Sequence, residues 1–143
     1  MTAPLLVTGG SGLLGQAVRR LRPDAVYLSR QDGDLRDRSV AERLLQSIQP
    51  GQILHLAGVV GGVKANAVDN ARFLEENILI NTAVLSAARQ LRIPRLTTML
   101  SSCAFPFYAD RQTTEADLLS ASPYDGNAGY AYAKRMLDLH VRL

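Results

Sequence analysis

In the string YAYAKRM, Tyr130 and Lys134 stand four residues apart and therefore share a helical face. A cationic ammonium near a phenol stabilises phenolate. It is expected to lower the tyrosine pKa and make the side chain a usable acid or base near neutrality. Lys134 is also placed to hydrogen-bond the ribose beside a nicotinamide. Tyr132, two residues on, points to another face and reads as packing or surface. Upstream, Ser101 closes the run LTTMLS, where its hydroxyl could hold a substrate carbonyl or hydroxyl beside Tyr130. The bland alternative is a surface Tyr–Lys pair and a strand-ending serine, but their order along the chain, after a nucleotide-type loop, favours chemistry. Cys103 follows in SSCAFP. A thiol near a pocket can shuttle a proton, although a lone cysteine is more often a small buried hydrophobe.

The second chemical signal lies near the start, in VTGGSGLLG. Gly9, Gly12 and Gly15 recur at every third residue between a short apolar run and a helix-like segment. Gly9 suits a tight turn, Gly12 lets backbone approach a pyrophosphate, and Gly15 lets helix and strand pack closely. A helix start adds free N–H groups and a positive dipole end. NAD sites usually place an acid after the second strand, to hold the ribose hydroxyls. Here that strand ends Tyr27-Leu28-Ser29-Arg30, and an arginine suits a 2′-phosphate. Ser11 leaves room and adds a hydroxyl, so NADP(H) is favoured over NAD(H). Asp32 or Asp34 remains an alternative ribose acid, and Asp34-Leu35 is expected beside the adenine.

Alternating strands and helices must position these groups. Leu5–Thr8, Ala25–Leu28, Gln52–Ala57 and Leu96–Ser101 read as buried strands. A helix from about Gly12 to Leu21 would bury Leu13, Leu14, Ala17, Val18 and Leu21. Asp37 or Ser39 could cap a second helix, which runs through Ile48 and is stopped by Pro50-Gly51. Asn66–Leu91 is mostly helical, Pro94 marks a turn, and Cys103–Ala128 is irregular. A last helix opens near Gly129 and still runs at Leu143. The pattern predicts a Rossmann-type, doubly wound α/β parallel sheet with helices on both faces. A right-handed crossover should lead from that helix to a further strand. None follows, so an open sheet edge and a truncated chain are expected.

With 143 residues the chain is one domain at most. Residues 1–143 are read as an incomplete NADP(H)-binding domain without a substrate domain. Its net charge is +3, and its arginines are scattered among acids rather than clustered, which argues against a nucleic-acid partner. One cysteine excludes an internal disulfide and fits a reducing compartment. No apolar stretch approaches the ~20 residues of a membrane span, and MTAPLLVTGG does not read as a signal peptide. No metal site is expected, and the cytoplasm is the default location.

Together, VTGGSGLLG, HLAGVVGGVKAN, ENILINT, LSSCAFP and YAYAKRM resemble the extended short-chain dehydrogenase/reductase family. Within it they are most similar to the GDP-L-fucose synthases, the GDP-4-keto-6-deoxy-D-mannose epimerase-reductases. The glycine loop and the Tyr/Lys pair belong to the wider superfamily, whereas HLAGVVGGVKAN and LSSCAFP are far more specific. The resemblance implies Ser101, Tyr130 and Lys134 as a catalytic triad, with Tyr130 as proton donor in 4-keto reduction. It implies Cys103 as the base of a 3,5-epimerisation. It places Gly9, Ser11, Gly12, Gly15, Arg30, Asp34, Leu35 and Ala57, with Tyr130 and Lys134, on cofactor positions. Gly61, Gly62 and Val63 match a loop near the sugar, and the two long helices match the family's homodimer interface.

Members of that family run to about twice this length. Their second half carries the guanine-nucleotide site and a histidine acid, so the resemblance implies a chain inactive by itself. His140 lies ten residues beyond Tyr130, about 15 Å along a helix axis, and cannot replace that acid at one sugar ring. His55, within a strand, reads as a structural residue. Two other readings remain: a fragment of another nucleotide-sugar epimerase or dehydratase of the same superfamily, or a dinucleotide-binding module without turnover.

Overall fold

The computed structural model describes residues 3–106 and 111–143. These residues fall into two compact units, one within Met1–Gly58 and Leu79–Met99, the other within Val59–Ile78 and Leu100–Leu143. Part of the irregular Cys103–Ala128 segment, at 107–110, lies outside the described residues.

The first unit holds the sheet. Strands β1 (Leu5–Thr8), β2 (Val26–Leu28), β3 (Gln52–His55) and β4 (Leu96–Thr98) pair in parallel in the order β2-β1-β3-β4. That is the doubly wound α/β arrangement expected from the alternation of strands and helices. The central strands carry the core, with Leu6, Val7 and Ile53 fully buried. The end of helix α4 (Asn70–Gln90) adds Ile80, Ala83, Val84, Ala87 and Ala88, a stripe at helical period. Polar groups are buried here too. His55 bonds the Thr8 hydroxyl through Nδ1 at 2.7 Å and the Asn81 Oδ1 through Nε2 at 3.1 Å. This is the structural role expected of His55, with its ring nitrogens engaged inside the sheet.

Helix α2 (Arg38–Ile48) begins as its caps dictate: the Asp37 carboxylate accepts from the Ser39 N–H at 2.8 Å. Its end turns through Gln49, in the left-handed region at φ 49°, into Pro50-Gly51.

Helix α1 (Leu13–Leu21) departs from expectation. Of its residues only Gly15 is buried and Val18 half-buried, while Leu13 is 88% and Leu21 81% exposed. Leu14 and Ala17 are exposed as well. An apolar stripe shows which face could be buried, but the close approach at Gly15 selects the inner face. On that helix Arg19 lies 4.0 Å over the ring of Tyr27 in β2.

The second unit contains α3 (Val63–Val68), the start of α4 and α5 (Ala128–Arg142), with short 3₁₀ turns at Ser102–Ala104, Glu115–Asp117 and Asp125–Asn127. The stretch Asn66–Leu91 is mostly helical, as expected, with its long part beginning at Asn70 after a break at Asp69, whose φ −144° and ψ 63° are not helical. Strand β4 ends three residues sooner than read, because Ser101 already caps the first 3₁₀ turn. Asn77, 1% exposed, clamps the β3–α3 loop. Its Oδ1 accepts from Val59 N at 2.9 Å, and its Nδ2 donates to Val59 O at 2.9 Å and to Phe73 O at 2.7 Å.

Candidate functional site

In the first unit the glycine turn is built by contacts that forbid side chains. Gly9 sits at φ +73°, and a Cβ there would lie 2.8 Å from Ala57 N. Ala57 N in turn donates to the Thr8 hydroxyl at 3.2 Å, so Ala57 forms the floor of the turn. A Cβ on Gly15 would lie 2.4 Å from Gly9 O and 2.7 Å from Gly10 Cα, which is what holds α1 against the turn. Gly10 N donates to Leu28 O at 2.7 Å, tying the turn to the end of β2.

Gly12 differs from the other two. A Cβ there would meet only Gly9 O, at 3.3 Å, a far looser fit than at Gly9 or Gly15. Gly12 is also the N-cap of α1 and offers no side-chain cap, so the first N–H groups of the helix remain for an external acceptor. Ser11 is exposed, and its carbonyl accepts from Gln16 Nε2 at 2.9 Å. This donor set fits a pyrophosphate.

The loop after β2 sorts its charges. Asp32 folds back on Ser29, accepting from its N–H at 2.7 Å and its hydroxyl at 2.8 Å. Asp34 accepts from the N–H and guanidinium of Arg36. Its carboxyl is lowered to about 2, first by the Arg36 side-chain bond, with Arg30 a smaller contributor. Both acids are therefore committed to their own loop, whereas Arg30 is exposed. Leu35 is buried in the unit at 8% exposure, so its side chain supports the loop from within.

In the second unit, Ser101 and Tyr130 come together. Ser101 Oγ accepts from Cys103 N at 3.2 Å, which caps the 3₁₀ turn. Ser101 and Cys103 both bear on the Tyr130 phenol, Ser101 lowering its pKa and the Cys103 charge raising it. Lys134 is 8% exposed, with its Nζ 5.7 Å from the centroid of the Tyr130 ring. Tyr132 is exposed, as a residue on another face should be.

The electrostatics run against the expected lowering of Tyr130. Burial raises its pKa, the Cys103 charge raises it further, and the Ser101 bond only partly opposes them. Lys134 is lowered by burial. Burial thus pushes each group toward its neutral form.

Beside Ser101 lies an open cavity of ≈ 640 Å³, lined among others by Ser102, Phe105, Thr113, Thr114 and Glu115. Sequence reasoning missed these residues because they belong to an irregular segment without periodicity. It also missed three asparagines that hold the site's frame. Asn66 donates to Gly61 O at 2.9 Å and Gly62 O at 3.1 Å, fixing the loop that precedes Val63. Nothing lies within 4 Å of a Cβ placed on Gly62, and Val63 is exposed. Asn77 holds Val59, as described above. Asn70 accepts from Gly129 N at 2.9 Å and donates to Asp125 O at 3.1 Å, seating the start of α5 one residue before Tyr130. A polar residue within or opening an apolar helical stripe was the available signal.

A family model described as the NAD dependent epimerase/dehydratase family matches residues 5–143. The chain is 34% identical over 142 residues to a GDP-L-fucose synthase of Dictyostelium discoideum, covering 94% of this chain and 44% of that protein. It is 33% identical to a probable GDP-L-fucose synthase of Drosophila melanogaster, again covering 94% and 44%. A solved GDP-L-fucose synthetase from Naegleria fowleri bound to NADP superposes with a TM-score of 0.87 at 33% identity, covering 99% of this chain and 44% of that one. The chain thus spans less than half the length of the relatives it matches. Among the described residues, no helix is long and apolar enough to cross a membrane.

Proposed function

Because the chain belongs to the NAD dependent epimerase/dehydratase family, we propose that it is the NADP(H)-binding part of an epimerase-reductase. The reaction in this reading converts GDP-4-keto-6-deoxy-D-mannose to GDP-L-fucose, as the names of its relatives suggest. Residues 1–143 then serve as the dinucleotide-binding domain of that enzyme. The observation that carries the reading is the convergence of Ser101 and Cys103 on the Tyr130 phenol, with Lys134 one helical turn on.

Each residue has a defined task here. The N–H groups of α1 beside Gly12 receive the pyrophosphate, and Gly9, Gly15 and Ala57 keep the turn that presents them. Arg30 reads the 2′-phosphate, its neighbouring acids Asp32 and Asp34 being occupied elsewhere. Ser11 adds a hydroxyl beside it, while Leu35 props the loop. NADPH supplies the hydride when bound. Tyr130 gives its proton to the 4-keto oxygen, and its raised pKa keeps the phenol protonated at neutral pH, as a donor must be. Ser101 holds the same oxygen, Lys134 orients the ribose, and Cys103 withdraws the proton at C3 and then at C5, each replaced on the opposite face by an acid that the resemblance puts in the family's second half. Gly61, Gly62 and Val63 flank the sugar.

The test is a fluorescence titration of the chain with NADPH and with NADH. Saturable binding that prefers NADPH supports the assignment, and binding to neither removes it. Where the keto sugar is turned over, loss of one NADPH per product separates a reductase from relatives that recycle their cofactor.

The exposed stripe Tyr132, Met136 and Leu139 on α5 supports a further part of the reading, a homodimer through the long helices α4 and α5. Light scattering on Met136→Glu should return a monomer where the parent chain is a dimer. A parent chain that is monomeric at high concentration would remove this part.

A further inference from the structure

Arg135 follows Lys134 on α5 and is 8% exposed, an environment in which a guanidinium needs good partners. Both of its bonded donors go to main-chain carbonyls. Nε donates to Ala104 O at 2.6 Å, and Nη2 donates to Ala121 O at 2.8 Å. The guanidinium also lies 5.5 Å over the Tyr132 ring. Ala104, itself fully buried, closes the 3₁₀ turn that contains Cys103 and is capped by Ser101. Ala121 belongs to the segment that leads through Pro123 to α5.

We propose that Arg135 is a positioning residue, which ties the helix bearing Tyr130 and Lys134 to the turn bearing Ser101 and Cys103. This rests on the roles given above to those four residues. Ser101 and Tyr130 stand on different elements, so they stay together only while the backbones behind them hold their separation. The planar fork of one guanidinium reaches two carbonyls on separate segments at once. A lysine ammonium keeps the charge but, as a compact point donor, satisfies one of them. Methionine fills the volume of the stem and leaves the buried Ala104 carbonyl and the Ala121 carbonyl without their donor.

The test uses the whole chain with Arg135→Met and Arg135→Lys. Cys103 is the only cysteine, so iodoacetamide alkylation reports on the 3₁₀ turn alone. The phenolate absorbance step that Tyr130→Phe removes reports on Tyr130. Arg135→Met should raise the alkylation rate by about tenfold as the turn opens locally, and should return the Tyr130 titration toward an ordinary tyrosine. Arg135→Lys should show both changes at smaller size. A folded Arg135→Met chain with a lowered melting temperature, but wild-type alkylation and titration, would overturn the proposal. If the methionine variant does not fold, the lysine variant decides: wild-type values for both readouts refute the role. Neither readout needs NADPH or turnover, so a chain that fails to bind nucleotide sinks the functional reading and leaves this test standing.

Discussion

Replacing Gly15 by alanine sets two effects of known sign against each other. Gly15 is the third residue of α1, and alanine is the better helix former by about 1 kcal/mol. Against this, the added Cβ would sit 2.4 Å from Gly9 O, 2.7 Å from Gly10 Cα and 2.8 Å from Gly10 C, all backbone atoms. Ordinary contact begins near 3.4 Å, so relief needs a shift of about an ångström between α1 and the glycine turn. Overpacking of this kind costs about 1–3 kcal/mol. The clash should therefore win by up to about 2 kcal/mol, which lowers the melting temperature by about 2–4 °C per kcal/mol. The same shift moves the N–H groups at the start of α1, so NADPH affinity should also fall. Gly12→Ala is the matched control. Its Cβ meets only Gly9 O, at 3.3 Å, so stability should fall less than in Gly15→Ala while binding is lost to a methyl group in the pyrophosphate path. The assays are thermal unfolding and NADPH fluorescence titration on both variants. A Gly15→Ala chain as stable as the parent, with unchanged affinity, would refute the close approach. Unchanged affinity in Gly12→Ala would refute the anion site.

Arg30→Ala should weaken NADPH by about ten- to a hundredfold, the value of a charge-assisted contact, and leave NADH nearly unchanged; an equal loss for both cofactors in parallel titrations would show that Arg30 does not read the 2′-phosphate. The raised Tyr130 pKa means that its contribution to stability is present below the ordinary value of 10.0 and is lost as pH rises through the raised one. Spectrophotometric titration of the five tyrosines should therefore lose a late alkaline step in Tyr130→Phe, and loss of an early step would contradict the sign. Asn70→Ala removes the acceptor for Gly129 N and the donor to Asp125 O, at a cost of about 1–3 kcal/mol. Circular dichroism should show a melting temperature several degrees lower, and no change would mean that the clamp does not seat α5.

Much was legible in the sequence because it depends on local pattern. The glycine spacing, the Asp37 cap, the Pro50-Gly51 stop and the four-residue Tyr130–Lys134 interval follow from periods and turn chemistry that neighbouring residues set. Those features identified the parallel α/β class and the residues worth testing. The tertiary structure decided whatever depends on distance between separate segments. It turned α1 so that Gly15, rather than Leu13 and Leu21, faces inward, because only a residue without a side chain allows the approach to Gly9 and Gly10. It raised the Tyr130 pKa, because burial and Cys103 act through space while the lysine one turn away does not offset them. It committed Asp32 and Asp34 to Ser29 and Arg36, leaving Arg30 exposed, which a list of charges in a loop does not reveal. Asn66, Asn70 and Arg135 act on carbonyls and N–H groups that no residue type encodes, so their work becomes visible only once the chain has closed around them.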